Sequence, residues 1–474
     1  MVLKVLLRRR PPIHSRIHTP SLRYRGELSR LNLAVSPPAL IYIARAERLA
    51  NPIAFERSRG WESGLARVDP RLCVLCRGRG LCGLAYCPAL ARARALVKLA
   101  PLTETRVVEG SSPPSVFVGR VGYPRVSVGP ATPPEAGDTR VFDYPELWLG
   151  RRLDEVIGFR LSLVYGSSLA DVAKAGGLVE ELRLLALSSR PVDVVMVLAK
   201  PPKPRVGLSE ELPPMGPRSP LEKLVVKSNP SVPKPLEKAY SDTDLRATDA
   251  VWMLYKEGVP VSHIQRVFSV GALGLGRARR LVPTRWSITA VDSIVSEKLK
   301  ERVREYSEVD KIEVYIHRGY DNLFLAILYP RRWSFEWMEA WWPGSTWNPF
   351  GGEVVVEGDY ELYSGRRDYP GIGGCYYASM LAALEHLEER RRQAAVVMLR
   401  EIYPGFDIPI GVWFVREMAR AMFRRGPVLR AESLDEVAEL VDRETRLGWR
   451  RWLRASRLLK ALASERSLDD YLRG

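Results

Sequence analysis

The stretch IEVYIHRGYDNLFLAILYP, residues 312–330, is the clearest indication of the fold. Two runs rich in aliphatic and aromatic residues flank Gly-Tyr-Asp-Asn, whose residues favour a tight turn. The pattern predicts a hairpin-like pair of strands. Two further stretches predict additional strands. SVFVGRVGYPRVSVGP, residues 115–130, predicts two strands around a Gly-Tyr-Pro turn, and PVDVVMVLA, residues 191–199, predicts a buried strand.

Helical patterns separate and follow these strands. TDLRATDAVWMLYKEG, residues 243–258, has helical spacing and ends at a glycine, and CYYASMLAALEHLEERRRQA, residues 375–394, predicts a helix opened by GIGG. Ser433 is the expected N-cap of a C-terminal helix. Prolines are dense between residues 200 and 235, which predicts a loop or linker there. Together, the strands and helices predict a mixed α+β fold.

At 474 residues the chain is long enough for two or three domains. Residues 1–66 are expected to form a basic, largely irregular extension, and residues 67–100 a small module with four cysteines. A large α/β region with mixed sheets is expected over residues 101–335. A smaller, helical C-terminal region over residues 336–460 and a flexible tail over residues 461–474 complete the predicted organisation.

The formal net charge is +17, which favours a polyanionic partner, either nucleic acid or an anionic membrane surface. No stretch approaches the roughly 18 consecutive apolar residues of a membrane span. The start, MVLKVLLRRRPP, places its arginines after the apolar residues, unlike a secretory signal peptide. We therefore expect a soluble, intracellular protein, cytoplasmic and associated with the nucleoid, without a membrane partner.

Four of the five cysteines fall in one short stretch, CVLCRGRGLCGLAYCP, residues 73–88. They are Cys73, Cys76, Cys82 and Cys87. A Cys-x-x-Cys pair lets two thiolates bind one tetrahedral ion from a single turn, and a second pair closes the shell. The intervening glycines let the chain turn back without steric cost. The spacing predicts a structural Zn²⁺ held by these four thiolates.

Other interpretations of the cysteine cluster stay open. Iron–sulfur clusters also take four cysteines, although this spacing matches neither common ferredoxin pattern. A redox-active Cys-x-x-Cys pair would not need the second pair, and chance clustering is the weakest alternative. Arg71, Arg77 and Arg79 lie within or beside the cluster. They fit either phosphate contacts or solvated surface residues.

A glycine- and arginine-rich stretch, SVGALGLGRARRLVPTRWSITAVD (residues 269–292), is the candidate phosphate-binding segment. Glycines expose backbone N–H groups, which can cradle a phosphate beside arginine side chains. The stretch is neither a Walker loop nor a dinucleotide fingerprint. A tight turn beside a basic surface explains it at least equally well. The candidate phosphate or nucleic-acid contacts are Arg277, Arg279, Arg280 and Arg285.

Cysteine and tryptophan residues in the second half of the chain carry weaker signals. GIGGCYYA, residues 371–378, places Cys375 at a helix start, where the helix dipole lowers a thiol pKa. A buried structural cysteine is the better interpretation. Five tryptophans lie between residues 333 and 347. Exposed, they would stack on unpaired bases, but the spacing of four favours a core-facing helical stripe.

The end of the chain, ASERSLDDYLRG, carries a short apolar cluster. In a 3₁₀ turn its apolar side chains project together and fit a groove on a partner. The tail resembles the motif that docks proteins onto the sliding clamp PCNA, Gln-x-x-aliphatic-x-x-aromatic-aromatic. Glu465 stands where Gln is usual, Leu468 is the aliphatic residue and Tyr471 the first aromatic. Leu472 replaces the second aromatic, and a frayed terminus is the alternative.

Basic residues between 443 and 460 precede this tail and are interleaved with leucine and tryptophan. This pattern fits a basic amphipathic helix that binds DNA. It fits equally a terminal helix docked on the protein with a charged outer face.

Four segments together resemble the archaeal Nre family of DNA repair proteins. They are CVLCRGRGLCGLAYCP, SPPSVFVGRVGYPRVSVGP, LGLGRARRLVPTRWSITAVD and GIGGCYYASMLAALEHL. The resemblance covers roughly residues 70–474 and omits the N-terminal extension. It implies a zinc finger on the four clustered cysteines, two successive Nre regions, a clamp-interacting motif over residues 465–472 and a role in repairing DNA damage. It implies no particular chemical activity.

The resulting hypothesis is a DNA repair factor that binds DNA, holds structural zinc and is recruited to the sliding clamp. The main alternative is an enzyme acting on nucleic acid or nucleotides, with a site near residues 271–292 and 371–375. A pocket that joins those segments and is lined by Arg285 and Asp292 would favour the enzyme, whereas a flat basic face would favour binding alone. An RNA-binding or RNA-modifying protein is a third option, since charge does not separate DNA from RNA.

Overall fold

The computed structural model describes residues 69–77, 81, 105–174, 176–202 and 212–464. These residues form two six-stranded sheets and the helices that pack on them. The predicted mixed α+β class is therefore confirmed.

The first sheet is built from six strands: β1 (Val107–Ser112), β2 (Ser115–Val118), β3 (Arg125–Thr132), β4 (Val164–Asp171), β5 (Val192–Leu198) and β6 (Arg218–Val226). Their spatial order is β1-β5-β6-β4-β3-β2. The pair β4 and β6 is parallel and the other neighbouring pairs are antiparallel.

The second sheet follows in the chain: β7 (Ile312–Gly319), β8 (Asn322–Tyr329), β9 (Ser334–Trp341), β10 (Val355–Glu361), β11 (Ala395–Ile402) and β12 (Leu429–Ala431). Their spatial order is β10-β9-β11-β8-β7-β12, with β9 and β11 parallel and the other pairs antiparallel.

The helices of the described residues are α1 (Pro70–Cys76), α2 (Leu153–Ser162), α3 (Gly177–Leu187), α4 (Lys234–Ser241), α5 (Ala247–Lys256), α6 (Val261–Ser269), α7 (Thr284–Val303), α8 (Cys375–Arg390), α9 (Trp413–Arg424), α10 (Leu434–Glu444), α11 (Trp449–Ala455) and α12 (Arg457–Ser464). Within this part of the chain, every helix is too short or too polar to cross a membrane.

Helices α6 to α9 connect the two sheets. α6 packs on β2, α9 packs on β7 and β8, and consecutive helices from α6 to α9 pack on one another. One apolar core therefore takes side chains from both sheets, such as Val116 and Phe324. A second core, with Val314 and Trp452 at its centre, lies where the C-terminal helices cover the second sheet.

The predicted hairpin over residues 312–330 is confirmed as β7 and β8. Gly319 pairs with Asn322, so the turn contains only Tyr320 and Asp321. Both turn residues have positive φ, 55° and 54°. Two positive φ angles give the turn a twist that matches the right-handed twist of the strands. The pair β2 and β3, the buried strand β5 and the helices α5 and α8 also form where the patterns predict them.

The prediction of a loop or linker over residues 200–235 is wrong for part of that range. β6 lies there, between β5 and β4 in the sheet. Pro220 lacks an N–H, but its carbonyl still accepts a hydrogen bond from the amide of Ala199, at 2.9 Å. The pairing with β5 shifts register between Val197 and Leu198, close to this proline. An irregular point in the ladder accommodates a proline that a regular strand would reject.

The tryptophan-rich stretch lies in the core as predicted, but it is not helical. Trp333, Trp337 and Trp341 are each at most 2% exposed, and the last two lie in β9. Residues four apart share a face in a strand as they nearly do in a helix, because side chains alternate with a period of two. The spacing alone therefore did not separate the two structures.

The C-terminal helices dock on the second sheet. Ser433 caps α10 as predicted: its hydroxyl accepts the Glu436 amide N–H, and the Glu436 carboxylate accepts the Ser433 amide N–H. Trp452 and Leu459 of these helices are fully buried in the second core. The arginines of this segment point outward, so it is a docked helical segment with a basic outer face. Those exposed basic residues are Arg443, Arg446, Arg450, Arg451, Arg454, Arg457 and Lys460.

Candidate nucleic-acid interface

A cleft of about 540 Å³ opens between the start of α7, the turn after β2 and the segment that leads into α8. This volume lies within the usual range for ligand sites. We call it the aromatic cleft. It is lined by Arg120, Arg285, Trp286, Thr289, Ala290, Ser293, Tyr369 and Tyr377.

The first turns of α7 supply one wall of the aromatic cleft. Arg285, Thr289 and Ser293 are four residues apart, which places them on one face of the helix. The preceding residue, Thr284, accepts a hydrogen bond from the amide of Val118 at 2.9 Å. This bond ties the start of α7 to the end of β2. Arg120 enters the cleft two residues later.

The segment around the start of α8 supplies the facing wall. The Asp359 carboxylate accepts the amide N–H of Gly371, at 2.7 Å, and pairs with Arg366. These contacts hold the chain between Tyr369 and α8. Burial raises the pKa of the Tyr377 hydroxyl. The two walls are joined because α7 and α8 pack on each other.

Exposed aromatic rings dominate the mouth of the cleft. Trp286 is 46% exposed and Tyr369 is 54% exposed. Tyr123, also 46% exposed, packs against Trp286 with 5.3 Å between ring centroids. None of the described residues that line the cleft carries a carboxylate, whereas two carry guanidinium groups. Flat apolar rings beside arginines are the combination that binds unpaired nucleotides.

The structure separates the four arginines predicted as phosphate contacts. Arg285 lines the aromatic cleft. Arg277 and Arg280 are exposed on the neighbouring loop. Arg279 is half-buried and donates to the backbone carbonyls of Gly274, Tyr240 and Asp242. These hydrogen bonds use the guanidinium of Arg279 to stabilise the backbone of this loop.

The glycines before these arginines serve close backbone packing. Gly271 has φ of 65°, and a Cβ there would lie 2.4 Å from the carbonyl oxygen of Arg280. The amide of Gly276 donates to the carbonyl of Thr243 at 2.8 Å. Both glycines are thus part of a tight turn.

The aromatic cleft takes residues from the first segment proposed for an enzyme site and from positions that flank the second, but it lacks the expected acid. Asp292 is fully buried on the inner face of α7 and pairs with Arg416 at 3.0 Å. Cys375 is 2% exposed, and its thiol contacts the guanidinium of Arg77. Neither residue lines the cleft, so its described walls offer stacking surfaces and positive charge without a carboxylate or a thiol.

The first two cysteines of the predicted zinc site lie on α1. Cys73 and Cys76 are three residues apart on one helical turn, as two ligands of one ion would be. The Cys76 sulfur accepts the amide N–H of Leu81 at 3.2 Å. Cys82 and Cys87 lie outside the described residues. The pair therefore fits half of the predicted ligand set, and no larger metal-binding group occurs among the described residues.

Arg77, directly after Cys76, is not a phosphate contact. It is 3% exposed and forms an ion pair with Glu339 of β9 at 2.7 Å. The sequence offered no sign of this partner, which lies in the second sheet. The predicted clamp motif, Glu465, Leu468, Tyr471 and Leu472, lies outside the described residues.

Several residues of the aromatic cleft were missed by sequence reasoning. Arg120 and Tyr123 lie in the Gly-Tyr-Pro turn between β2 and β3, and Tyr369 and Tyr377 flank the GIGG segment. An exposed tyrosine in a turn rich in arginine was an available signal for the first pair. The second pair is brought in by the packing of α8 on α7, which no local pattern encodes.

Comparison with known proteins identifies the family. The model of the N-terminal region of archaeal Nre proteins matches residues 81–348, and that of the C-terminal region matches residues 361–471. The aromatic cleft takes residues from both matched regions. No solved structure matches the chain.

Three relatives from two archaea cover most of the chain. DNA repair protein NreB of Archaeoglobus fulgidus is 44% identical over 400 residues, which is 84% of this chain and 100% of that protein. DNA repair protein NreA of the same organism is 36% identical over 78% of this chain and 93% of its own length. DNA repair protein NreA of Haloferax volcanii is 38% identical over 70% of this chain and 82% of its own length. The chain belongs to the archaeal Nre family.

Proposed function

We propose that this protein is a DNA repair factor that binds DNA with unpaired bases in the aromatic cleft. Its relatives are named DNA repair proteins, and the chain carries a net charge of +17. The observation that carries the proposal is the exposed Trp286, flanked by Tyr123 and placed beside Arg120 and Arg285.

Unpaired rather than duplex DNA fits this chemistry better. Aromatic side chains stack on the faces of bases, and those faces are covered by neighbouring base pairs in a duplex. Arg120 and Arg285 supply the positive charge that attracts the phosphate backbone. Repair intermediates commonly contain such single-stranded stretches, so the cleft would select damaged or processed DNA over intact duplex.

Two further parts of the proposal rest on the sequence. The four clustered cysteines hold a structural Zn²⁺, and the tail recruits the protein to the sliding clamp at the nucleoid in the cytoplasm. The contact of Cys76 with the Leu81 amide supports the first part. Metal analysis of the purified protein tests it, and protein without zinc or with iron in its place would contradict it.

Binding of short labelled oligonucleotides to the full-length protein tests the cleft. We expect single-stranded DNA to bind more tightly than duplex of the same length. Changing Trp286 to alanine should weaken the binding of single-stranded DNA by roughly fivefold or more, because stacking contributes about 1–3 kcal/mol per base. Trp286→Phe keeps a stacking ring and should recover most of the affinity.

Phe350→Ala is the matched control. Phe350 is 57% exposed but does not line the cleft, so its loss should leave binding unchanged. Equal affinity of wild type and Trp286→Ala would contradict the proposal. Tighter binding of RNA than of DNA, lost in the same variant, would keep the cleft and change its ligand.

A further inference from the structure

A second, smaller cavity lies on the other side of α7 from the aromatic cleft. It has a volume of about 70 Å³ and is walled by the start of β2, by α6, by α7 and by the ends of α2 and α9. Thr284 and Ile288 of α7 face it, whereas Arg285 and Thr289 face the aromatic cleft. The two spaces are thus separated by one helix.

Three buried arginines from three helices line this cavity: Arg160 of α2, Arg266 of α6 and Arg416 of α9. They are 4%, 6% and 1% exposed. We call it the arginine cavity. Buried arginines are normally paired with carboxylates, because an unpaired buried charge is strongly unfavourable. The partners of each arginine therefore show whether one guanidinium in the cavity is left to bind an external anion.

Two of the three arginines have carboxylate partners. Arg160 pairs with Asp143 and also donates to the hydroxyl of Tyr165. Arg416 pairs with Asp292 at 3.0 Å. Their charges are compensated inside the protein.

Arg266 differs from both. Its Nη1 donates to the carbonyl of Pro113 at 2.9 Å, and its guanidinium lies 4.1 Å from the centre of the Tyr144 ring. It forms no ion pair with any carboxylate of the described residues. Its Nη2 is buried and has no hydrogen-bond acceptor in the described part of the chain.

The carboxylate of Glu146 does not accept a hydrogen bond from Nη2 of Arg266. Glu146 lies in the adjoining turn, but its carboxylate accepts the amide and the hydroxyl of Ser262, at 3.1 and 2.7 Å. The cavity is thus lined by a guanidinium that is built into the core, that lacks a counter-ion and that keeps one donor unused. An external anion would complete it.

The size and donors of the cavity select the kind of anion. A volume of about 70 Å³ holds only a few water-sized groups, far less than a base or a whole nucleotide. Ser115, Ser262 and Thr284 also line it, although the hydroxyl of Ser262 already donates to Glu146. Guanidinium donors suit the several acceptor oxygens of a tetrahedral phosphate.

We propose that the arginine cavity binds the phosphate group of a phosphomonoester, with Arg266 as its principal ligand. Free inorganic phosphate, a mononucleotide and the terminal phosphate of a DNA strand share this chemistry. The inference does not rest on DNA binding in the aromatic cleft, since the two sites use opposite faces of α7 and different arginines.

Binding of these phosphate sources to the full-length protein tests the proposal by calorimetry at constant ionic strength. The arms are inorganic phosphate, deoxyadenosine 5′-monophosphate, and one oligonucleotide with or without a 5′-phosphate, with chloride as the reference salt. At least one phosphate arm should bind, and Arg266→Gln should weaken it by about tenfold or more. The phosphate compound that binds with the highest affinity identifies the source of the phosphate group.

Arg190→Gln is the matched control, because Arg190 is exposed and does not line the cavity. Its phosphate affinity should equal that of the wild type. Should Arg266→Gln fail to fold, Arg266→Lys replaces it: loss of the planar fork should still weaken binding, and full affinity would overturn the proposal. Absence of binding in every phosphate arm, or equal affinity of wild type and the Arg266 variant, would also overturn it.

Discussion

Arg77 and Glu339 form a buried ion pair, with Nη2 of Arg77 2.7 Å from Oε2 of Glu339. The pair joins the cysteine-bearing helix α1 to β9, across 262 positions in the chain. Arg400 of β11 donates to the other carboxylate oxygen at 2.9 Å. Burial acts to raise the pKa of Glu339, but the two guanidinium groups outweigh burial and lower it. One carboxylate therefore anchors the predicted zinc module to the second sheet.

Replacing Glu339 by glutamine should destabilise the protein strongly. The change removes the carboxylate that both buried guanidinium groups contact, and breaking a buried pair typically costs about 3–5 kcal/mol. Urea denaturation followed by circular dichroism measures the free energy of unfolding. Glu222→Gln is the control, since Glu222 pairs with Arg106 on the surface, and we expect a change below about 1 kcal/mol there. Similar losses in both variants would contradict the anchoring role.

The two arginines of the aromatic cleft should set the salt dependence of DNA binding. Each phosphate contact on single-stranded DNA contributes about 0.7 to the slope of log affinity against log salt concentration. Arg120→Ala and Arg285→Ala should each lower that slope by about this amount. Titrations at several salt concentrations measure it. Arg277→Ala and Arg280→Ala, tested alongside, determine whether the exposed loop also contacts phosphates; an unchanged slope in the two cleft variants alone would contradict the assignment.

The tail should determine binding to the sliding clamp. Changing Leu468, Tyr471 and Leu472 together to alanine removes the apolar plug of the motif and should abolish binding to the host clamp in a surface-immobilisation assay. Affinity for single-stranded DNA should stay at the wild-type level, because the proposed DNA site is built from α7, the turn after β2 and the segment that leads into α8. Failure of the wild-type protein to bind the clamp would remove recruitment from the account and leave DNA binding intact.

His386 should make the protein less stable in mild acid. Burial, aided by the charge of Arg390, lowers the pKa of His386 from 6.5 to about 4. Between these values the unfolded chain binds a proton that the folded protein does not, so stability falls as pH drops through this window. From pH 7.5 to 5.5, His386→Gln should lose about 1.4 kcal/mol less stability than the wild type. Equal losses would show that this histidine has a normal pKa.

Local patterns predicted the elements better than they predicted the contacts. Strand pairs such as β7 and β8, and the cap at Ser433, depend on residues close in sequence, so periodicity and turn chemistry were sufficient. The proline-containing β6 was missed because its place depends on neighbours on both sides in the sheet. The sequence left two interpretations of Arg77 open, a phosphate contact or a solvated surface residue. Its partner, Glu339, lies in the other half of the chain, so no local pattern indicates it.

The candidate site was likewise predicted in its local segments but not in the contacts between them. Arg285 was among the predicted contacts, and the segments on both walls of the cleft were singled out. Tyr369 and Tyr377 were not, because α8 brings them to α7 through packing alone. Burial of Asp292 against Arg416, which leaves the described cleft wall without an acid, likewise depends on a helix more than 100 positions away.

Photo-crosslinking of a single-stranded oligonucleotide carrying 5-iodouracil, with the attachment sites mapped by mass spectrometry, tests whether unpaired bases stack in the aromatic cleft. Aromatic side chains stacked on the base capture it on irradiation, so we expect crosslinks at Trp286, Tyr123 or Tyr369. The second exposed basic surface, around Arg450 and Trp449 of α11, serves as the internal comparison. Crosslinks confined to that surface, with none in the aromatic cleft, would contradict the account.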